Sequence, residues 1–101
     1  MKDFILFMYK DASDASIASD GNRWGEYLSS LRSTGYFDGG SSIGSGLRVR
    51  KGCADLDAAA DLDGFIRVRA TDIDAARKFL AGNPVYEGGG TVEIRELPVD
   101  G

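Results

Sequence analysis

The sequence predicts an α+β fold in which one four-stranded antiparallel sheet carries two helices on the same face. Segments with the two-residue alternation of β-strands are separated by two segments with helical three-to-four-residue spacing. Along the 101 residues the predicted order is β-α-β-β-α-β. With short connections that do not cross, this order favours the ferredoxin-like arrangement over other topologies.

The N-terminal part of the chain predicts the first strand and the first helix. The strand is expected over 3–10, where DFILFMYK is apolar and aromatic at both parities. The helix is expected over 22–35, where apolar residues recur along one helical face. Either Asp20 or Asn22 suits its N-cap, and Gly35 suits a left-handed helix end.

The middle of the chain predicts a bend, then two strands joined by an excursion. Four glycines between positions 36 and 46 favour the bend. The second strand is expected over 47–51, where LRVRK alternates, and the third over 64–70, where GFIRVRA alternates. The acidic, alanine-rich segment over 52–63 connects them and is expected to form a hairpin excursion.

The C-terminal part predicts the second helix and the last strand. The helix is expected over 71–84, with Thr71 as its N-cap and aspartates in its first turn, where the helix dipole favours anions. Gly82 and Pro84 are expected to end it. The fourth strand is expected over 91–97, where apolar and charged residues alternate.

The composition is typical of one soluble globular domain over residues 1–101, with 43% hydrophobic and 28% charged residues. A net charge of −4 argues against nucleic-acid binding. No apolar run approaches the length that spans a bilayer, so no membrane association is predicted. The single cysteine, Cys53, has no internal disulfide partner, and a cytoplasmic location is the expectation.

The alternating strands divide the predicted sheet into an apolar face and a charged face. The apolar set, which the helices would cover, comprises Leu47, Val49, Ile66, Val68, Val92 and Ile94. The opposite set comprises Arg48, Arg50, Phe65, Arg67, Arg69, Glu93 and Arg95. Because the first strand is apolar on both faces, we expect a second copy of the chain to cover the charged face in a homodimer. The alternative is a solvated face on which the arginine stems lie over hydrocarbon.

Four segments of the chain resemble the YCII-related, or DGPF-domain, proteins. They are MKDFILFMYKD, NRWGEYLSSLRSTGYFDGG, LDGFIRVRATDIDAARKFLAGNP and TVEIRELP. The resemblance implies a dimeric α+β barrel and a role as a small enzyme or as an accessory domain. The chain departs from the family in having no histidine, whereas many relatives carry one near the first helix. Asp63-Gly64-Phe65 matches only part of the Asp-Gly-Pro-Phe segment, so no residue of that segment is carried over.

Missing residue types exclude several chemistries. Without histidine, Ser-His-Asp and Cys-His catalysis are excluded, and with one cysteine no metal site is predicted. The glycine-rich segment DGGSSIGSG lacks the Lys-Ser/Thr pair of a phosphate-binding loop, and no cofactor is predicted. If the protein is an enzyme, Asp63 or Glu93 is the candidate general acid or base.

The sequence predicts that a small anionic or aromatic ligand binds in a cleft between the sheet and a helix. Arginine side chains would bind the anion, aromatic side chains would form the walls and a serine would lie at the mouth. The predicted ligand-binding residues are Tyr9, Trp24, Tyr27, Ser41, Arg48, Arg67 and Arg69. The alternative is a non-catalytic dimerisation or interaction module in which the charged face only builds the dimer.

Overall fold

The computed structural model describes residues 1–99 and has the predicted α+β architecture. Its strands are β1 (Lys2–Tyr9), β2 (Phe37–Ser42), β3 (Leu47–Arg48), β4 (Leu56–Asp57), β5 (Leu62–Ala70) and β6 (Val92–Leu97). Its α-helices are α1 (Ala15–Ala18), α2 (Gly21–Thr34), α3 (Ile73–Arg77) and α4 (Pro84–Glu87). Among residues 1–99, no helix has the length and apolar character needed to cross a membrane.

Four of these strands form an antiparallel sheet in the order β2-β5-β1-β6. The strand β1 is central, so Phe7 lies opposite Phe65 of β5 on one side and opposite Glu93 of β6 on the other. This order confirms the ferredoxin-like arrangement that the sequence predicts.

The core lies between the sheet and the helices. Phe4, Leu6 and Met8 alternate along β1 and are buried. On β5, the buried Val68 pairs with Phe4 and the buried Ile66 pairs with Leu6. Helix α2 contributes its buried Tyr27 and Leu31, while the segment after β5 contributes Ala76, Leu80 and Val85. Both groups of helices therefore cover the same face of the sheet, as predicted.

Local capping interactions fix the ends of α2. The Asp20 carboxylate accepts hydrogen bonds from the backbone N–H groups of Asn22 and Arg23, at 2.9 and 3.2 Å. At the other end Gly35 has a φ of 78°, the left-handed conformation predicted for it. Of the two predicted N-caps, the structure therefore selects Asp20.

The predicted second helix is replaced by three shorter turns of helix. Asp72, not Thr71, is the N-cap of α3, because its side chain accepts a hydrogen bond from the Ala75 N–H at 2.8 Å. A 3₁₀ turn over Lys78–Leu80 follows, and α4 begins beyond Gly82, with Pro84 in its first turn. Gly82 thus ends the first part, as predicted, but Pro84 starts a new helix because its ring suits a first turn.

The prediction of the second sheet strand is wrong. The strand that pairs with β5 is β2, whose sequence FDGGSS lacks the β-branched residues that mark strands. Gly39 adopts a φ of 97° at a β-bulge, and Gly40 lies so close to Phe65 that a Cβ would overlap the Phe65 carbonyl oxygen. Glycine is therefore required at both positions.

The residues predicted for that strand lie instead in a separate hairpin, called the arm (residues 47–57). In the arm, β3 pairs with β4 and not with the main sheet. Leu47 and Val49 are 64% and 73% exposed, so the helices do not cover them. The predicted hairpin excursion is present, but it includes the residues that were expected to form the second strand.

Candidate functional site

A cleft of about 480 Å³ lies between α2 and the β2–β5 edge of the sheet. It is on the face of the sheet that carries the helices. Apolar side chains form most of its wall: Met8, Trp24, Leu28, Phe37 and Ile66. The polar groups around it are Ser19, Arg32, Ser41, Ser42 and Asp63.

The indole of Trp24 is fixed in the cleft wall by two neighbours. Its Nε1–H donates a hydrogen bond to the Ala18 carbonyl oxygen at 2.8 Å, which ties α2 to α1. Its ring meets Tyr27 edge to face, with centroids 5.9 Å apart and planes at 75°. Because Trp24 is only half-buried, part of the indole remains available to a ligand.

Arg32 places a positive charge beside the aromatic part of the cleft. Its guanidinium carbon lies 5.8 Å from the centroid of Phe37, a cation–π distance. The Arg32 side chain is on an exposed residue near the end of α2, where the helix dipole favours a cation. Among residues 1–99 Arg32 forms no salt bridge, so its guanidinium is available to an anionic group that enters the cleft.

Glycines line the strand side of the cleft and leave room there for a ligand. Gly40 of β2, which pairs with Ile66, and Gly64 of β5, which pairs with Ser42, both line the cleft. A Cβ on Gly64 would lie 3.2 Å from the Met8 methyl carbon and 3.0 Å from the Ser41 carbonyl oxygen. Beside them the Ser41 hydroxyl donates to the Ser42 carbonyl oxygen at 2.9 Å, and Asp63 is half-buried.

The opposite face of the sheet, called the open face, carries the other group of functional side chains. It presents Ile5, Phe7, Tyr9, Phe65, Arg67, Arg69, Glu93 and Arg95. Tyr9 donates a hydrogen bond to Glu93 Oε1 at 3.4 Å, and Arg95 binds Glu93 Oε2 at 3.4 Å. Partial burial, and then the Glu93 carboxylate, raise the pKa of Tyr9 above its usual value.

The structure distributes the predicted site residues among separate places. Trp24, Ser41 and Asp63 line the cleft, and Tyr27 is buried beside it with its hydroxyl donating to the Phe79 carbonyl oxygen at 2.7 Å. Tyr9, Arg67, Arg69 and Glu93 lie on the open face. Arg48 is in the arm, where its Nε–H donates to the Asp57 carbonyl oxygen. Within one chain, the sheet therefore separates the open-face arginines from the aromatic residues of α2.

Sequence reasoning missed Arg32, Leu28 and Phe37 as cleft residues. A signal for two of them was present, because Trp24, Leu28 and Arg32 are spaced four residues apart and so follow one stripe of α2. Phe37 carried no such signal, since its place in a strand was not recognised.

Comparison with known proteins supports the fold. No family model and no curated protein matches the chain. Among solved structures, the chain is similar to 5-chloro-2-hydroxyhydroquinone dehydrochlorinase from Burkholderia phenoliruptrix, in complex with 2,5-dihydroxybenzoquinone. The TM-score is 0.58 at 15% sequence identity, and the match covers 95% of this chain and 93% of that chain. At this identity, the similarity shows a shared fold.

Proposed function

We propose that this protein is a homodimeric domain that binds a small aromatic anion in the cleft between α2 and the β2–β5 edge. The observation that carries the proposal is the combination of aromatic walls with the Arg32 guanidinium in one cleft of about 480 Å³. That volume lies within the range of roughly 300–1,000 Å³ typical of small-molecule sites.

Each part of the cleft has a role in this proposal. The ligand ring packs between Trp24 and Phe37, where an apolar contact surface is already formed. Arg32 binds the anionic substituent, since a guanidinium pairs with carboxylate or phosphate through two parallel hydrogen bonds. Ser41 and Ser42 supply polar contacts at the strand side, and in any reaction here Asp63 acts as the general acid or base.

The solved structure of similar fold supports this ligand class. Its ligand, 2,5-dihydroxybenzoquinone, is a small six-membered ring compound. A ring of that size fits the volume of the cleft.

The homodimer is the second part of the proposal. Along the open face, Ile5, Phe7 and Phe65 are half-buried in the single chain and lie next to each other in register. Arg67 lies opposite Ile5 and is exposed, while Arg69 is already bound to Asp38 at 2.9 Å. A second copy that packs on this face removes the apolar side chains from water and offers carboxylates to Arg67.

The alternative function is a non-catalytic dimerisation or interaction module. The observation in its favour is that the open face, and not the cleft, carries most of the predicted ligand-binding arginines. In that case the charged residues only join two copies, and the cleft has no ligand.

Ligand-dependent melting tests the proposal against the alternative. Benzoate and phenyl phosphate, added in excess, are expected to raise the melting temperature, because a ligand that binds only the folded state stabilises it. Arg32→Ala is expected to weaken this binding about tenfold, since it removes the anion partner. Arg23→Ala is the matched control, because Arg23 lies on the same helix but its partner is Asp20 and not the cleft. If neither compound changes the melting temperature while the protein remains dimeric, the interaction module is the correct function.

A further inference from the structure

We propose that the arm, residues 47–57, docks on a groove at the β6 edge of a second copy of this chain. The inference rests on the homodimer of the proposed function and adds a second contact to the open-face packing.

The arm has three apolar side chains that are exposed to solvent in the single chain. Leu47, Val49 and Leu56 are 64%, 73% and 58% exposed. The arm has only two cross-strand pairs, and a two-stranded hairpin by itself is marginally stable in water. The radius of gyration is 14.9 Å, against about 13 Å for a compact domain of this length. The arm is therefore a projecting element with an uncovered apolar surface.

A groove of about 500 Å³ at the β6 edge offers the complementary surface. It lies on the helix side of the sheet, between α3, α4 and β6. Ile73 and Tyr86 in its wall are 52% and 49% exposed, and Val92 and Ile94 form apolar parts of the strand side. The groove and the arm thus hold most of the large hydrophobic side chains that are exposed among residues 1–99. The others are Tyr36 and residues near the chain ends.

Charge favours a second copy as the occupant. The arm carries three cations against two carboxylates, whereas the rest of the chain carries nine cations against fourteen carboxylates. Asp74 and Arg77 are the charged residues of the groove wall, and the adjacent positions Asp72, before α3, and Glu87, in α4, add two exposed carboxylates. These carboxylates are suitable partners for Arg50 and Lys51 of the arm.

The sheet topology permits this contact in a symmetric dimer. When two open faces pack about a two-fold axis parallel to the strands, the β2 edge of one copy lies opposite the β6 edge of the other. Such an axis also keeps equivalent strand ends together. The arm leaves the sheet at the end where Tyr9 pairs with Leu62, and the groove residues Thr91 and Val92 lie at that same end. The base of each arm thus lies beside the edge that carries the other copy's groove, and the proposed contact occurs twice.

Cross-linking from the arm tests the contact directly. Cys53 is the single cysteine, is exposed and lies in the arm, so a benzophenone maleimide attaches there without a substitution. A mixture of isotopically heavy and light chains separates cross-links between copies from those within one. We expect irradiation to join heavy and light chains, with the attachment points in residues 72–94 of the other copy. Cross-links only within one chain, attachment elsewhere on the other copy, or no cross-link would overturn the arm contact.

Sedimentation of variants gives a second, independent test. The double variant Leu47→Ser/Val49→Ser is expected to raise the dimer dissociation constant about tenfold or more, and Ile73→Ser is expected to act in the same direction. Val99→Ser is the matched control, because Val99 is 84% exposed and lies outside both the arm and the groove. A wild-type protein that sediments as a monomer contradicts the homodimer and the arm contact together. A dimer whose dissociation constant is the same in all variants contradicts the arm contact alone.

Discussion

Neighbouring aromatic residues of α2 have different environments. Tyr27 is 4% exposed, its hydroxyl is bound to the Phe79 carbonyl oxygen, and burial raises the pKa of that hydroxyl. Trp24, one turn earlier, is only half-buried and faces the cleft. Tyr27 therefore serves stability, while Trp24 is available for binding.

Removing the Tyr27 hydroxyl is expected to destabilise the protein without changing the cleft. The variant Tyr27→Phe leaves the Phe79 carbonyl oxygen without its hydrogen bond, a loss of about 1–2 kcal/mol in the free energy of unfolding. Urea denaturation measures it. Tyr36→Phe is the control, because Tyr36 is exposed and is expected to change stability by less than about 0.5 kcal/mol. Equal effects of the two substitutions would mean that the Tyr27 hydrogen bond contributes nothing.

Asp11 connects the loop after β1 to the start of β6. Its carboxylate accepts hydrogen bonds from the Thr91 hydroxyl and from the Thr91 backbone N–H, at 2.5 and 2.7 Å. The hydroxyl first, and the N–H second, lower the pKa of Asp11 below its usual value of 3.8. Since the charged form is favoured in the folded state, this stabilisation is present above the unfolded pKa and is lost as the pH falls through the folded pKa.

The substitution Thr91→Val tests that link. At neutral pH we expect a lower melting temperature than in the wild type, because the Asp11 carboxylate loses its hydroxyl partner. The difference is expected to shrink as the pH falls below 3.8, where wild-type Asp11 also becomes protonated. Melting curves across the acid range measure it. A difference of constant size at every pH would show that the carboxylate charge is not involved.

Among the secondary-structure elements, β2 depends most on glycine. At Gly40 a Cβ would overlap the Phe65 carbonyl oxygen, whereas Gly25 in α2 has no neighbouring atom within 4 Å of such a Cβ. We therefore expect opposite signs from the same substitution. Gly40→Ala separates β2 from β5 and lowers the free energy of unfolding by about 1–3 kcal/mol. Gly25→Ala raises it by about 0.5–1 kcal/mol, because alanine favours the helix. A stabilised Gly40→Ala variant would contradict the close strand approach.

The elements that the sequence predicts well are those specified by local signals. A short apolar run predicted β1, and apolar alternation predicted β5 and β6. Gly35 ends α2 as expected, because a left-handed residue there needs no information from distant parts of the chain. The strand β2 was missed because it is held by backbone pairing with β5 and not by its own side chains. The alternating segment over 47–51 was assigned to the sheet because alternation does not reveal which strand is the partner.

For the molecule as a whole, side-chain parity predicted faces but not sites. Alternation correctly separated Arg67 and Arg69 from the helix side of the sheet. These two arginines therefore lie on the opposite side of the sheet from Trp24. The strand pattern alone does not predict this separation, because it depends on where α2 packs. Trp24, Ser41 and Asp63 do share the cleft, because α2 covers the β2–β5 edge.

Substitution on the open face is expected to separate association from binding. Arg67→Ala removes an exposed guanidinium on the face opposite the cleft. For the proposed homodimer we expect a higher dissociation constant, because a carboxylate of the second copy would lose its charge pair. Affinity for benzoate is expected to stay unchanged. Sedimentation and a binding titration measure the two quantities, and a loss of benzoate affinity in a variant that remains dimeric would place the ligand on the open face.

Titration of the intrinsic fluorescence tests the central claim, that the cleft beside α2 is the ligand site. Trp24 is the single tryptophan of the chain and lies in the cleft wall, so its emission reports on the surroundings of that wall. We expect benzoate or phenyl phosphate to change the emission saturably, with the midpoint shifted about tenfold to higher concentration in Arg32→Ala and unchanged in Arg23→Ala. Emission that stays constant while the same compounds raise the melting temperature would place their site elsewhere and contradict the claim.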